Sequence, residues 1–313
     1  MRALSAGLVV GCSAYLASQW YLRYLRAKHG VVVSLFQYIR LCYRLREPSS
    51  LMLIADFDRT LTTSACGTSC HGVVESCKEL SAEYRAATKA LVEHYLPIET
   101  TPTMPRAEKI PLMQDWYRQA HTLLLKEPLT PALLDSAARE SKIALRPGTD
   151  AMLAKCHELG IPFIVMSAGL GNVIEAVMRQ RLSEATAAQV TPTLPIVSNW
   201  LRFDARGVVC GFSQPLLHMF NKDGSFIRSQ LGEERLAELR RGRRTIVLLG
   251  DGLGDAQMAD GLDADLAVVK IGLLNESDEA RVAARLPQYE AAFDVVLLGD
   301  GSFEWVLQLL GLQ

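Results

Sequence analysis

Leu51-Met-Leu-Ile-Ala-Asp-Phe-Asp-Arg-Thr60 decides the fold of this 313-residue chain. Its five leading apolar residues are too few for a helix and suit a strand buried on both faces of a parallel sheet. The strand runs into two carboxylates, Asp56 and Asp58. Two positions apart on extended backbone, both point to one face, and neither can be buried without a compensating cation. Similar apolar runs recur at 161–166, 245–249, 266–269 and 294–298, with helical patterns between them at 149–159, 171–181 and 233–241. The alternation predicts a doubly wound, Rossmann-like parallel α/β sheet. Residues 64–146 interrupt it with helical patterns at 75–95, 106–126 and 131–142 and no comparable strand, which reads as an inserted helical cap. The expected organisation is a head of 1–46, a catalytic core of 47–63 and 147–313, and a cap of 64–146.

Ligands of such sheets bind beyond the carboxyl ends of the strands, so the residues that follow each run are candidates for chemistry. After 161–166 come Ser167-Ala168-Gly169, a hydroxyl and a permissive turn where backbone N–H groups at a helix start can hold an anion. After 245–249 come Gly250-Asp251-Gly252-Leu253-Gly254-Asp255, two more carboxylates among glycines. Lys222, in Phe220-Asn221-Lys222, is the cation of the set. Each signal is weak alone. Together, four carboxylates converging on one crevice repel one another unless they hold a cation, and an all-oxygen donor set suits magnesium.

The formal net charge of -1 conceals a division. No acidic residue precedes Glu47, whereas Arg2, Arg23, Arg26, Lys28, Arg40, Arg44 and Arg46 give the head +7 and leave -8 for the remainder. An acidic body disfavours a nucleic-acid polymer as partner, and 49% hydrophobic with 21% charged residues excludes disorder, collagen and coiled coil. Seven scattered cysteines, an odd number, point to a reducing compartment rather than a disulfide framework. Cys66, Cys70, His71 and Cys77 lack the second ligand pair that a structural zinc site needs and read as plain thiols beside a histidine.

Residues 3–22 carry no charge and end at Trp20 and Tyr21, followed by Arg23, Arg26 and Lys28. About 20 apolar residues with an aromatic and basic flank read as a membrane anchor that leaves the body in the cytoplasm. The alternatives are an organelle-targeting or secretory peptide and a helix packed on the body. Residues 31–46 mix apolar and basic side chains as an interfacial helix or a stalk, and Pro48-Ser49-Ser50 punctuates the boundary.

The set Asp56-Phe57-Asp58-Arg59-Thr60, Ser167-Ala168-Gly169, Lys222 and Gly250-Asp251 with Asp255 resembles the four motifs of the haloacid dehalogenase superfamily. Longer strings, among them Tyr95-Leu-Pro-Ile-Glu99, Met113-Gln-Asp-Trp-Tyr117, Ala120-His121, Ser198-Asn199, Asn221-Lys222 and Met258-Ala-Asp-Gly261, are similar to the cytosolic 5'-nucleotidase III (pyrimidine 5'-nucleotidase) family over residues 50–312. The resemblance implies a magnesium-dependent 5'-nucleotidase acting on nucleoside 5'-monophosphates, with CMP, UMP or 7-methyl-GMP as substrate. It implies Asp56 as nucleophile and Asp58 as acid and then base. Magnesium would be held by Asp56, the backbone carbonyl of Asp58 and Asp251, with Asp255 in support. Lys222, Ser167, Ala168 and Gly169 would receive the phosphate, and Glu99 and Tyr117 the nucleobase. Ala120 follows the 7-methylguanosine branch and Tyr117 the pyrimidine branch. The chain departs from the family at Arg59, at the short 62–65 loop and at Gly72, near the base. A monomer is expected. The competing readings are a phosphatase for another small phosphomonoester and a membrane-tethered binding protein without catalysis.

Overall fold

In the computed structural model, which describes residues 2–101, 103–263 and 265–313 and the side chains of the first helix from residue 16, the run 51–55 is a fully buried strand. The described strands are β1 (Val31–Val32), β2 (Leu51–Ala55), β3 (Phe163–Leu170), β4 (Ile196–Asn199), β5 (Leu201–Phe203), β6 (Val209–Phe212), β7 (Thr245–Gly250), β8 (Ala267–Leu274) and β9 (Val295–Leu298). Seven of them form one sheet in the order β1-β9-β8-β7-β2-β3-β4, while β5 and β6 make a separate antiparallel hairpin. Every pairing in the large sheet is parallel except that of β1 with β9.

The strands are apolar throughout because both faces are covered. Leu51, Leu53, Val165, Val247, Leu249, Val269 and Ile271 point into one core layer. Met52, Ile54, Ile164, Met166, Ile246 and Leu248, the alternate positions, point into the other. The connecting helices are α1 (Arg2–His29), α2 (Leu35–Arg44), α3 (Cys70–Glu75), α4 (Ala82–Thr100), α5 (Arg106–Leu124), α6 (Pro131–Glu140), α7 (Thr149–Glu158), α8 (Gly171–Arg181), α9 (Glu184–Val190), α10 (Gly224–Leu231), α11 (Glu233–Arg240), α12 (Glu279–Ala292) and α13 (Glu304–Leu310). Their starts are chemically marked: Ser34, Ser81, Thr130, Asp223 and Asp278 each accept a backbone N–H of the first turn.

Within 64–146 the helices divide. α4 and α5 pack as an antiparallel pair, with the Tyr95 hydroxyl donating to Asp115 at 2.6 Å and its ring stacked on Trp116. α3 buries Cys70, Val73 and Val74 in the main core. α6 lies along α8, where the Arg181 guanidinium binds the carbonyls of Ala138, Ser141 and Ile143.

Two local expectations change. Ser167-Ala168-Gly169 is not a turn: β3 continues to Leu170, which pairs with Asn199 of β4 after a register shift, and α8 starts only at Gly171. The boundary at residue 47 is not a boundary in packing. Val31 and Val32 pair with Leu297 and Val296 of β9, and Leu25, Leu41 and Leu45 belong to the main core. Among the described residues no helix is long and apolar enough to cross a membrane. Most of the stretch expected as an anchor, residues 3–15, lies outside those whose side chains are described.

Leu53 is fully buried in β2, with paired strands on both sides. Leu53→Ala is expected to destabilise the chain by about 2–5 kcal/mol, read as a lower denaturant midpoint at unchanged slope.

Candidate active site

β2 and β7 run side by side with Ala55 opposite Leu249, so Asp56 and Asp251 leave the sheet together at its carboxyl edge. The Asp56 amide still donates to the Leu249 carbonyl at 2.9 Å. Between them Gly250 must be glycine, because a Cβ there would stand 2.2 Å from Cβ of Asp255. Asp255 sits in the short helical turn Leu253–Gln257, where its Oδ2 accepts the Gly252 amide at 2.8 Å. Lys222 enters from the loop before α10. That loop is fixed by Asn221, which accepts the His218 amide and donates to the Leu216 carbonyl. The Lys222 ammonium, itself buried, donates at 2.6 Å to Oδ1 of Asp56 and at 2.6 Å to Oδ1 of Asp255.

Carboxylate oxygens of Asp56, Asp251 and Asp255 all lie within 4.8 Å of one another. Burial pushes the Asp56 carboxyl up to about 7, with Lys222 pulling it down and Asp255 pushing it further up. Burial, then Asp56 and Asp255, lift Asp251 well above the usual carboxylate range. Burial works against the Lys222 charge, yet Asp255 and Asp56 leave its pKa above the ordinary value. One ammonium therefore faces three carboxylates, two of them buried and Asp251 partly so, and the remaining negative charge, carried on hard oxygen donors, fits a divalent metal. Among the described residues this is the one group of three or more His, Cys, Asp or Glu side chains that could share an ion. Cys66, Cys70 and Cys77 are free thiols.

Asp58 is half-buried, its Oδ1 accepting the Cys70 amide at 2.9 Å, and burial raises its pKa despite that bond. The next residue, Arg59, is the only non-glycine with positive φ among the described residues, at 61°. Such a conformation costs about 1–3 kcal/mol and persists where its surroundings dictate it. Here they do: its amide donates to Thr62 Oγ1 at 2.8 Å, and its carbonyl accepts from Arg146 Nη2 and from Asn275 Nδ2, each at 2.7 Å. The Arg146 guanidinium is fully buried and also binds the carbonyls of Thr60 and Gly301 and the carboxylate of Asp300. Asp300 in turn accepts the amides of Ser64 and Ala65. The Tyr289 hydroxyl donates to the Asp251 carbonyl. Arg146, Asn275, Asp300 and Tyr289 thus position the loops that carry Asp58 and Asp251. Sequence reasoning missed them because no spacing rule links an isolated Arg or Tyr to a loop 86 or 38 residues away.

Ser167 lies two residues past the last β2–β3 pair, buried at the same edge, with its Oγ accepting the Gly169 amide at 3.1 Å. The Ala168 carbonyl is held by Asn199. Gly169 packs on Cys70, whose Cβ would be 2.9 Å from an added methyl. Glu99, near the end of α4, has its carboxyl pushed up to about 7 by burial, against the pull of Arg59 and Lys109. Burial, then the Glu99 carboxylate, raise the Tyr117 hydroxyl. The imidazole of His71 meets the Tyr117 ring edge-on at 6.1 Å, and burial lowers His71 to about 4, leaving it neutral at pH 7. All ten residues singled out in the sequence therefore fall either at the carboxyl edge of the sheet or in the α4–α5 pair beside it. A hollow of about 590 Å³ lies along α5, lined by Arg118, His121, Phe212 and Asn221, and no acidic side chain borders it.

The family model for pyrimidine 5'-nucleotidase (UMPH-1) matches residues 57–312. A 7-methylguanosine phosphate-specific 5'-nucleotidase of Gallus gallus is 34% identical over 266 residues, covering 84% of this chain and 87% of that protein. The Drosophila melanogaster protein of the same name is 34% identical over 270 residues, covering 85% and 80%. The crystal structure of cytosolic 5'-nucleotidase IIIB bound to cytidine superposes with a TM-score of 0.79 at 31% identity, over 94% of this chain and 96% of that one. A haloacid dehalogenase-family hydrolase of Salmonella enterica, at 16% identity and a TM-score of 0.51 over 84% and 72%, shares the fold. The family match, the sequence identities and the superposition agree: the chain belongs to the pyrimidine 5'-nucleotidase family.

Proposed function

We propose that this 5'-nucleotidase hydrolyses nucleoside 5'-monophosphates by two displacements at phosphorus, both centred on Asp56. The observation that carries the reading is the buried Lys222 ammonium shared by Asp56 and Asp255, with Asp251 beside them. That ammonium opposes the burial that would protonate Asp56 and so favours an ionised nucleophile. In the first displacement an Asp56 oxygen bonds to phosphorus while the ester oxygen leaves and takes the proton of Asp58. The raised pKa of Asp58 suits it to carry that proton. In the second, Asp58 accepts a proton from water, the water oxygen attacks phosphorus, and phosphate departs from Asp56. Bound Mg²⁺, held by Asp56, Asp251 and the Asp58 carbonyl with Asp255 in support, supplies charge neutralisation for the phosphate oxygens. Ser167 and the Ala168 and Gly169 amides offer hydrogen bonds to the same oxygens, the Gly169 amide exchanging its bond to Ser167 Oγ for one to phosphate.

Helices α4 and α5 serve as the cap over this site. Glu99 accepts the exocyclic amino group of the base and Tyr117 lies against its ring. Cytosine and 7-methylguanine both offer such an amino group, whereas uracil presents a carbonyl. The names of the relatives, 7-methylguanosine phosphate-specific enzymes and a cytidine-bound structure, support the same pair of bases. A relative named putative cytosolic 5'-nucleotidase 3, from Caenorhabditis elegans, supports a cytoplasmic body.

Asp56→Asn is expected to lower phosphate release from CMP by about 10⁴-fold or more, and chelation of divalent metal to abolish it; turnover surviving either treatment refutes the mechanism. In a panel of CMP, 7-methyl-GMP, UMP, AMP and phosphoserine, the first two are expected to show the highest kcat/KM, and a preference for phosphoserine would overturn the nucleotide assignment. Because Glu99 ionises only above about 7, its acceptor role is gained as pH rises through that value. The KM for CMP of the native chain, relative to that of Glu99→Gln at each pH, is therefore expected to fall between pH 6 and 8, and a constant ratio excludes the contact.

A further inference from the structure

Helix α2 is apolar on two faces. Leu41 and Leu45 at its end point into the core, while Phe36, Ile39 and Tyr43 are 76%, 60% and 65% exposed on the outer side. Their spacing of three and four residues places them on one stripe. A second stripe, Leu16, Trp20 and Tyr24, runs at intervals of four along the outer side of α1, with Trp20 69% exposed. The two helices touch through Tyr21 and Tyr38, whose ring centres lie 5.7 Å apart. Cations border the stripes: Arg46 stands 4.2 Å from the Tyr43 ring centre, Lys28 stands 5.7 Å from that of Tyr24, and Arg40 is exposed beside Ile39. Six large apolar side chains left in water on adjacent helices constitute a surface that wants an occupant.

We propose that this outer face of α1 and α2 docks on an anionic phospholipid surface, with the rings at the depth of the headgroups and the cations against the lipid phosphates. Charge selects that occupant. The segment before Glu47 carries seven cations and no acid, whereas the rest of the chain carries -8 and is repelled by a negative membrane, so the attraction fixes which side approaches. A second copy of the chain would bring two such basic faces together, which opposes self-association through it. Aromatic and aliphatic side chains ringed by Lys and Arg are the composition of a helix lying in the interface rather than crossing it. Arg44, at the end of α2, binds the Val268 carbonyl at the amino-terminal edge of β8, away from the carboxyl edge that holds Asp56 and Asp251. The α2 part of the face therefore lies away from the catalytic edge, and the proposal does not rest on the identity of the substrate.

The test is co-sedimentation of the full chain with vesicles of phosphatidylcholine alone and of phosphatidylcholine with phosphatidylserine. Native protein is expected to sediment with the phosphatidylserine vesicles and to be released by high salt. Phe36→Ser/Ile39→Ser/Tyr43→Ser is expected to lower the partition coefficient about tenfold or more while CMP hydrolysis stays native. Equal binding of the native chain to both vesicle types, or to neither, overturns the proposal without recourse to any variant. So does a triple variant that hydrolyses CMP normally and binds as the native chain does, which would remove the α2 stripe from the docking face. A native dimer that the triple variant converts to monomer would show that the face covers a second copy, and would also overturn it.

Discussion

A single ammonium group, that of Lys222, holds the centre of this structure together. It is buried between Asp56 and Asp255, which leave different elements, with Asp251 close by. Three carboxylates in a largely buried site are a large electrostatic liability, and a shared cation at 2.6 Å from two of them offsets only part of it. The remainder would suit a divalent ion, without which a phosphate dianion would meet only repulsion from the carboxylates. The rest of the fold serves this arrangement: the sheet brings Asp56 and Asp251 to one edge, and the loop fixed by Asn221 delivers Lys222.

Around that centre lies a shell of contacts that act on backbone rather than on substrate. Arg146 clamps the carbonyls of Arg59 and Thr60, Asn275 shares the first of them, and Tyr289 holds the carbonyl of Asp251. The effect is to maintain a left-handed turn at Arg59 immediately after Asp58. A carboxylate on a loop keeps its place only if the loop cannot relax, and a buried guanidinium with five acceptors is a stiff means of preventing that.

The carboxylates, Lys222 and the strands that carry them were legible because each strand is buried on both faces and so writes itself as an unbroken apolar run. What escaped was structure made by pairing rather than by pattern. β4 is four residues long and includes Ser198 and Asn199, buried because they hydrogen-bond to Gly169, Ala168 and Leu217. β1 is a pair of valines indistinguishable from a linker. The apolar run of β8 stops at 269, yet the strand runs on through Lys270 and Gly272, a charge and a helix breaker that look like a strand's end and are carried through it by the ladders to β7 and β9. Glu99 and Tyr117 were reachable only by resemblance. Their proximity to the carboxylates depends on how α4 and α5 fold back over the sheet, which no periodicity encodes.

The antiparallel pairing of Val31 and Val32 with β9 has a consequence for the life of the chain as a particle in solution. An open parallel sheet ends in unpaired amides and carbonyls that can recruit a strand from another molecule. Here the leading segment closes that margin on one flank: Gly30 accepts the Leu298 amide, and Leu25 and Leu41 roof the strand pair. A proteolytic cut or alternative start just before Pro48 would therefore do more than detach a head. It would uncover Val295–Leu298, a wholly apolar strand, and turn a well-behaved enzyme into one prone to stack edge to edge.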